Sequence, residues 1–321
     1  MDNLDSPMYG DLALFSANAN RPLAEEIAAY LGTRLRGADV FQFPNENIFV
    51  RLHGSVRSDD VFVIQSMSIP VHRHIMELLI FLDTVRRDSA GRISAVIPYF
   101  AYGRTDKKDQ PRVPITARLL ADLITVAGAD RVLTLDLHAG QIQGFFTIPV
   151  DEIRTSDLLH DYFLEMQIDD MVVVAADIGA AKKSRNFAET LDAPLAIIEK
   201  RRTTDGSGTS VLNVIGEVAG RNAIIFDDEI DTAGTMTKAA HFLRKQGVRD
   251  IYACTTHAVF SPPAIQRLQE APFKEIVVTN TIDIPQEKRL PNLTVLSVGR
   301  LLGEVIRRIH LGISVGAMFN E

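Results

Sequence analysis

Residues 222–235 constrain this chain more tightly than any other stretch. They read Asn-Ala-Ile-Ile-Phe-Asp-Asp-Glu-Ile-Asp-Thr-Ala-Gly-Thr. The apolar run 223–226 stops at Asp227 and Asp228 and crosses a turn of small residues. It then enters 236–246, where Met236, Ala239, Ala240 and Leu243 recur at helical spacing. The pattern predicts a strand, a tight loop and the N-terminus of a helix. A helix start exposes backbone N–H groups without intrahelical partners and carries the positive end of the helix dipole, so it can hold a phosphate. Gly234 lets the backbone approach closely, and Thr232 and Thr235 add hydroxyl donors. Asp227 and Asp228, as carboxylates, only accept, which suits sugar hydroxyls or a hard divalent cation. Donors for phosphate on one side of a loop and acceptors on the other have the polarity of a phosphorylated pentose.

With 321 residues the chain is long enough for two domains, each with its own core. Its 46% apolar and 23% charged residues are the balance of a soluble globular protein. A net charge of −7 argues against a nucleic-acid partner that relies on overall positive charge. The single cysteine, Cys254, lies in the apolar run 251–255 and reads as a buried core thiol, which fits a reducing compartment. No apolar run reaches membrane-spanning length and the first residues are acidic, unlike a signal peptide. The expectation is a cytoplasmic protein with no membrane partner.

Apolar periodicity predicts strands at 11–16, 41–52, 61–65, 93–98 and 131–136, with helices opening at Asn20-Arg21-Pro22 and covering 70–86 and 115–127. Between them, 99–114 is charged and proline-containing and reads as a long exposed loop of the kind that serves function. The second half repeats the alternation: helix near 157–166, strand 171–175, helix 181–191, strand 195–199, the organising strand and helix, then strands at 251–255, 275–279 and 295–297. Helices at 262–269 and 299–310 complete it. Such alternation predicts an α/β protein of two domains, 1–150 and 151–321, each a mainly parallel sheet covered by helices on both faces.

Ligands in such sheets collect beyond the carboxyl ends of strands. Polar residues stand there at Asp136 and His138, at Asp177, and at Lys200-Arg201-Arg202. Residues 227–235 resemble the phosphoribosyl pyrophosphate motif shared by type I phosphoribosyltransferases and ribose-phosphate pyrophosphokinases. Residues 136–146, Asp-Leu-His-Ala-Gly-Gln-Ile-Gln-Gly-Phe-Phe, are similar to the divalent-cation signature of the pyrophosphokinases, which the nucleobase transferases lack. Further likeness at Ile64-Gln65-Ser66, 74–80, Ile97-Pro98-Tyr99, 114–117 and 277–280 extends over nearly the whole chain and is greatest to the class I type.

The resemblance implies two phosphoribosyltransferase-type domains and transfer of the diphosphoryl group of ATP to the 1-hydroxyl of ribose 5-phosphate. It implies Mg2+ held at His138, Asp136 and Asp177, with Lys200, Arg202 and Arg104 as catalytic cations. It implies ribose 5-phosphate on Asp227, Asp228, Asp231, Thr232, Ala233, Gly234, Thr235 and Asp177. ATP would take Phe43, Asn45, Asn47, Arg104, Thr105, Asp106, Lys107 and His138, with 99–114 as a flap. Adenine stacking on Phe43 at a subunit interface implies a homo-oligomer, a hexamer in the family.

Several positions depart from the family pattern. Asn45-Glu46-Asn47 replaces Asp-Gly-Glu, Thr105 and Lys107 replace Gln and Arg, and Ile178 and Ala180 alter the Asp-x-Gly-Gly segment. Ser314-Val315-Gly316 keeps one of two serines associated with allosteric phosphate binding, so regulation by phosphate and ADP does not carry over. These changes raise the alternative of a catalytically silent, synthetase-like regulatory subunit, and a nucleobase phosphoribosyltransferase is the third reading. Against silence, the acids, cations and Thr232–Thr235 loop are all present.

Overall fold

The apolar runs become strands and the amphipathic stretches become helices of two separate α/β units. The computed structural model describes residues 9–202 and 210–318, with the side chains of 200–202, 210 and 211 outside the described set. The first unit comprises Met1–Ile153, Thr281–Asp283 and Ser297–Glu321, and the second Arg154–Asn280 and Ile284–Leu296.

The first unit opens with β1 (Leu12–Ser16), α1 (Arg21–Tyr30), β2 (Ala38–Gln42), β3 (Ile48–Leu52), β4 (Asp60–Ile64) and α2 (Val71–Arg87). It continues through β5 (Arg92–Ile97), α3 (Thr116–Ala127), β6 (Arg131–Leu135) and β7 (Val150–Ile153). Five strands form a parallel sheet in the order β1-β4-β5-β6-β7. Alternate residues Phe15, Val61, Val63, Ala95 and Ile97 pack in one core with Leu78, Phe81 and Leu82 of α2 and Leu120 and Ile124 of α3. The intervening Leu14, Phe62, Ile64 and Val96 are buried too and face the other side of the sheet, where α1 lies. Asn20 caps α1 by accepting from the Leu23 N–H at 3.3 Å, as its position before Arg21-Pro22 leads one to expect.

The expected strand 41–52 is instead the antiparallel hairpin β2–β3. Pro44, Asn45 and Glu46 break it, with Glu46 at φ 68° and the Phe43 N–H donating to the Asn47 carbonyl at 2.8 Å. Turn chemistry overrides a continuous apolar pattern here.

The second unit runs α4 (Ser156–Glu165), β8 (Met171–Ala175), α5 (Ala181–Thr190), β9 (Leu195–Arg202), β10 (Ser210–Ile215), β11 (Asn222–Ile230) and α6 (Gly234–Lys245). It ends with β12 (Ile251–Ala258), α7 (Ala264–Glu270), β13 (Glu275–Thr279) and β14 (Leu293–Leu296). Its seven-stranded sheet has the order β10-β9-β8-β11-β12-β13-β14, parallel except for β10 on β9. Period-two alternation divides β11 between two cores. Ala223 and Ile225 pack with Met236, Ala240 and Leu243 of α6, while Ile224 and Phe226 pack with Phe163 of α4 and Phe187 of α5. Cys254 is buried in the second of these cores, as read.

The last helix, α8 (Gly299–Leu311), returns to the first unit, whereas the sequence reading gave the whole of 151–321 to the second. The reason is packing on α1. A side chain at Gly303 would come within 2.5 Å of the Tyr30 ring, and the Tyr30 hydroxyl donates to Glu304 at 3.0 Å. Arg92 of β5 donates to the Ile309 carbonyl at 2.8 Å and pairs with buried Asp60, which also meets His310 Nδ1 at 2.9 Å. Among the described residues no helix is long and apolar enough to cross a membrane.

Candidate active site

In the second unit, β11 runs past its neighbour. Pairing with β8 ends at Phe226–Ala175, while pairing with β12 continues through Asp227–Thr255 to Ile230–Ala258. The strand therefore carries Asp227 and Asp228 within it, not after it as the apolar run implied, and is open only on the β8 side. Asp228 is buried and Asp227 half-buried. Desolvation pushes the Asp227 carboxyl up to about 8, and the hydrogen bond with Asp228 and the negative charges of Asp228 and Asp177 act in the same direction. The Asp228 N–H, donating to Asp227 Oδ1 at 2.9 Å, opposes them. Burial beside a second carboxyl favours the protonated form of Asp227, and a protonated carboxyl can donate as well as accept.

Lys183 of α5 forms an ion pair with Asp228 at 3.2 Å. The helix is held against the strand by stacking of Phe187 on Phe226, 4.4 Å between centroids and 15° between planes, and by Ser184 donating to the Phe226 carbonyl at 3.2 Å. Asp177 stands in the turn between β8 and α5, where its Oδ1 accepts from the Ala180 N–H at 3.0 Å. Ile178 is 64% exposed and Ala180 is buried, so the two substitutions in this turn have opposite surroundings.

Beyond β11, Asp231 and Thr232 lead into Ala233, which caps α6 in the left-handed conformation at φ 60°, ψ 4°. This bend aims Gly234, Thr235 and Met236 into the first helical turn. Thr237 closes it by donating to the Ala233 carbonyl at 2.8 Å. Thr232 is exposed and Thr235 half-buried. The Thr232 carbonyl accepts from Arg267 Nη1 of α7 at 2.9 Å.

Strand β9 extends through Lys200 and Arg202 instead of stopping at Glu199, and its register sets Leu212 opposite Lys200 and Ser210 opposite Arg202. Their side chains lie outside the described set.

In the first unit, β6 ends at Leu135 and the chain turns sharply at Asp136, φ 36°. The Leu137 N–H donates to Glu152 Oε1 of β7 at 2.9 Å, and Gln143 also donates to Glu152. These bonds fix the loop that carries half-buried Asp136 and exposed His138. Among the described residues no three His, Cys, Asp or Glu side chains converge on a cation position. Asp136 and His138 therefore do not by themselves make an all-protein cage for a cation.

The stretch 99–114 is only half an exposed loop. Phe100, Ala101 and Asp106 are buried, and exposure begins again at Lys107. Asp106 accepts from Gln141 in the 136–146 loop, Thr105 donates to the Tyr102 carbonyl at 2.7 Å, and Arg104 is exposed. A side chain at Gly103 would sit 3.0 Å from His138 Cβ, so glycine lets the two loops touch. On the hairpin, Phe43 is 43% exposed and packs edge-on with Phe41 and Phe49, at 5.0 and 5.9 Å between centroids. Asn45 accepts from the Asn47 N–H at 3.2 Å.

The structure thus gathers Asp177, Asp227, Asp228 and the Thr232–Thr235 turn in one unit, and the Arg104–Asp106 and Asp136–His138 loops in the other. Sequence reasoning missed Lys183, Arg267, Gln141 and Glu152. Lys183 had a local signal, one turn into the helix after Asp177. The others reach their partners only through tertiary packing.

Parallel α/β sheets with acids at a strand end and a tight turn into a helix define a phosphoribosyltransferase-type architecture that handles sugar phosphates. Comparison with known proteins narrows the class. Residues 12–128 match the N-terminal domain of ribose phosphate pyrophosphokinase, and residues 206–320 the phosphoribosyl synthetase-associated domain. A ribose-phosphate pyrophosphokinase of Caldanaerobacter subterraneus is 51% identical over 96% of this chain and 98% of its own length. Ribose-phosphate pyrophosphokinase 1 of Spinacia oleracea is 49% identical over 96% of this chain and 92% of its own. The crystal structure of phosphoribosylpyrophosphate synthetase from Mycobacterium smegmatis superposes with a TM-score of 0.89 at 44% identity, covering 94% of this chain and 99% of that one. The chain belongs to the ribose-phosphate pyrophosphokinase family and is an enzyme of that type, built from two phosphoribosyltransferase-type domains. Neither a silent subunit nor a nucleobase phosphoribosyltransferase is favoured by relatives of this kind.

Proposed function

We propose that the enzyme transfers the β,γ-diphosphoryl group of ATP to the 1-hydroxyl of ribose 5-phosphate, giving 5-phosphoribosyl 1-diphosphate and AMP for nucleotide biosynthesis. The observation that carries this is the acid pair Asp227–Asp228 directly preceding a phosphate-type helix start, in a chain about half identical to pyrophosphokinases over nearly its full length. In the reaction the 1-hydroxyl loses its proton, its oxygen bonds to the β-phosphorus, and the oxygen bridging the α- and β-phosphorus atoms departs with AMP.

The residues divide the work. The N–H groups at the start of α6 and the hydroxyls of Thr232 and Thr235 hold the 5-phosphate, while Asp227, Asp228 and Asp177 bond the ribose hydroxyls. Asp136 and His138 would hold Mg2+, which when bound would neutralise phosphate charge and polarise the phosphoryl group. Asp177 is a further ligand or a ribose contact. Lys200, Arg202 and Arg104 stabilise charge on the transferring group, and removing Lys200 or Arg202 lowers kcat on the order of hundred- to thousand-fold. Residues 99–114 close over ATP as a flap, with Thr105, Asp106 and Lys107 near its phosphates, and water exclusion follows from that closure. The exposed ring of Phe43, with Asn45 and Asn47 beside it, supports adenine stacking at an interface between copies in a homo-oligomer, and the whole reading fits a cytoplasmic enzyme.

The decisive assay follows AMP release with ribose 5-phosphate, ATP and magnesium. Turnover that requires all three is expected. No turnover at high protein concentration would favour a silent subunit, and turnover only with a nucleobase and 5-phosphoribosyl 1-diphosphate would favour a transferase.

A further inference from the structure

We infer that Arg267 of α7 is a positioning residue for the sugar phosphate: it fixes the 232–235 turn through the Thr232 carbonyl and directs its remaining guanidinium donors to the 5-phosphate. The inference rests on the reading that this turn binds ribose 5-phosphate. Three features on the fold carry it.

The first is the backbone of the turn. Ala233 adopts φ 60°, a left-handed conformation that favours glycine and disfavours a residue with a Cβ. It persists only if the surroundings over-determine it. The left-handed step leaves the Thr232 carbonyl outside the helix, and Arg267 Nη1 donates to it at 2.9 Å. The second feature is Gly234, where a Cβ would lie 3.1 Å from the same Nη1. Glycine at this position therefore makes room for a guanidinium as well as for a ligand. The third is charge. Among the described residues no carboxylate pairs with Arg267, and its only side-chain hydrogen bond is the one to Thr232. A guanidinium has five donors, so the bond to Thr232 leaves four for a phosphate, which it can meet bidentately. The turn itself offers only neutral donors and a helix dipole. A dianionic phosphomonoester is held more tightly with a full positive charge nearby, and Arg267 is placed to supply it.

Arginine 267 to alanine, lysine and glutamine variants, with Thr235→Val as a control on the turn, would be compared by steady-state kinetics and by calorimetric binding of ribose 5-phosphate. Arg267→Ala is expected to weaken ribose 5-phosphate binding by about ten- to a hundredfold, the value of a charge-assisted hydrogen bond. KM for ATP should stay within about twofold, since both contacts of Arg267, to the Thr232 carbonyl and to the 5-phosphate, serve the sugar phosphate. The preference for ribose 5-phosphate over ribose should fall by the same factor, and Arg267→Lys should recover part of it by restoring charge without the fork. Should the alanine variant not fold, Arg267→Gln, which keeps a donor for Thr232, is judged by the same thresholds. Binding of ribose 5-phosphate within twofold of wild type overturns the inference, as does an equal rise in KM for both substrates with the ribose preference unchanged. If Thr235→Val weakens binding and Arg267→Ala does not, the turn binds the sugar phosphate without Arg267. If neither does, the assignment of the turn itself fails.

Discussion

The two clusters of candidate residues, one in each unit, are built differently. In the second unit the acid pair lies within a central strand and the 232–235 turn caps a helix, so their positions follow from a sheet ladder and a buried core. In the first unit Arg104, Asp106, Asp136 and His138 lie on loops held by side chains, Gln141 on Asp106 and Glu152 on the Leu137 N–H. A strand cannot shift without breaking a core, whereas a loop can move by exchanging a hydrogen bond with water. The cluster of the second unit is therefore set by the core, and that of the first unit by side-chain hydrogen bonds.

The most severe break of this contrast is Phe187→Ala. The ring is 1% exposed and stacked on Phe226, so its loss should cost about 3–5 kcal/mol in denaturant unfolding. Binding of ribose 5-phosphate should fail together with stability, because α5 carries Lys183 to Asp228. On the loop side, Asp106→Ala should leave the melting temperature nearly unchanged while raising KM for ATP about tenfold, the value of one hydrogen bond to a charged group. A matching loss of stability would make the flap part of the core and erase the contrast.

A smaller effect sharpens the description of the acid pair. Lys183→Met removes the cation 3.2 Å from Asp228 and should raise KM for ribose 5-phosphate by roughly three- to tenfold, with KM for ATP unaffected. No change would mean that the pair needs no counter-charge. A last test concerns stability against pH. Asp227 has a folded-state value near 8 against an ordinary carboxyl value near 3.8, so between these the folded chain binds a proton that the unfolded chain has lost. Stability from this group is complete below pH 3.8 and declines as pH rises towards 8. Asp227→Asn should therefore melt progressively higher than wild type as pH goes from 5 to 9, and a constant gap would refute the raised value.

Much of this was legible in the sequence, and the misreadings have identifiable causes. The strand at 41–52 failed because a local turn, Pro44-Asn45-Glu46, is short and flanked by apolar residues that continue the pattern. The strand at 195–199 was cut short because cations seldom continue a strand, yet β10 pairs with β9 to the level of Arg202. The hairpin partner β10 had no signal strong enough to announce it.

By itself the sequence determined what depends on neighbours along the chain: alternation that makes Ala223 and Ile225 face one core and Ile224 and Phe226 the other, the acids that follow, and the small residues that turn the chain into α6. Only the tertiary structure decided which distant groups complete these pieces. Lys183 meets Asp228, Arg267 the Thr232 carbonyl, Glu152 the Leu137 N–H, and α8 crosses back to Tyr30 in the first unit. Periodicity encodes which face of an element is apolar, but the partner that covers a face or satisfies a polar group is selected by packing among segments far apart in the chain.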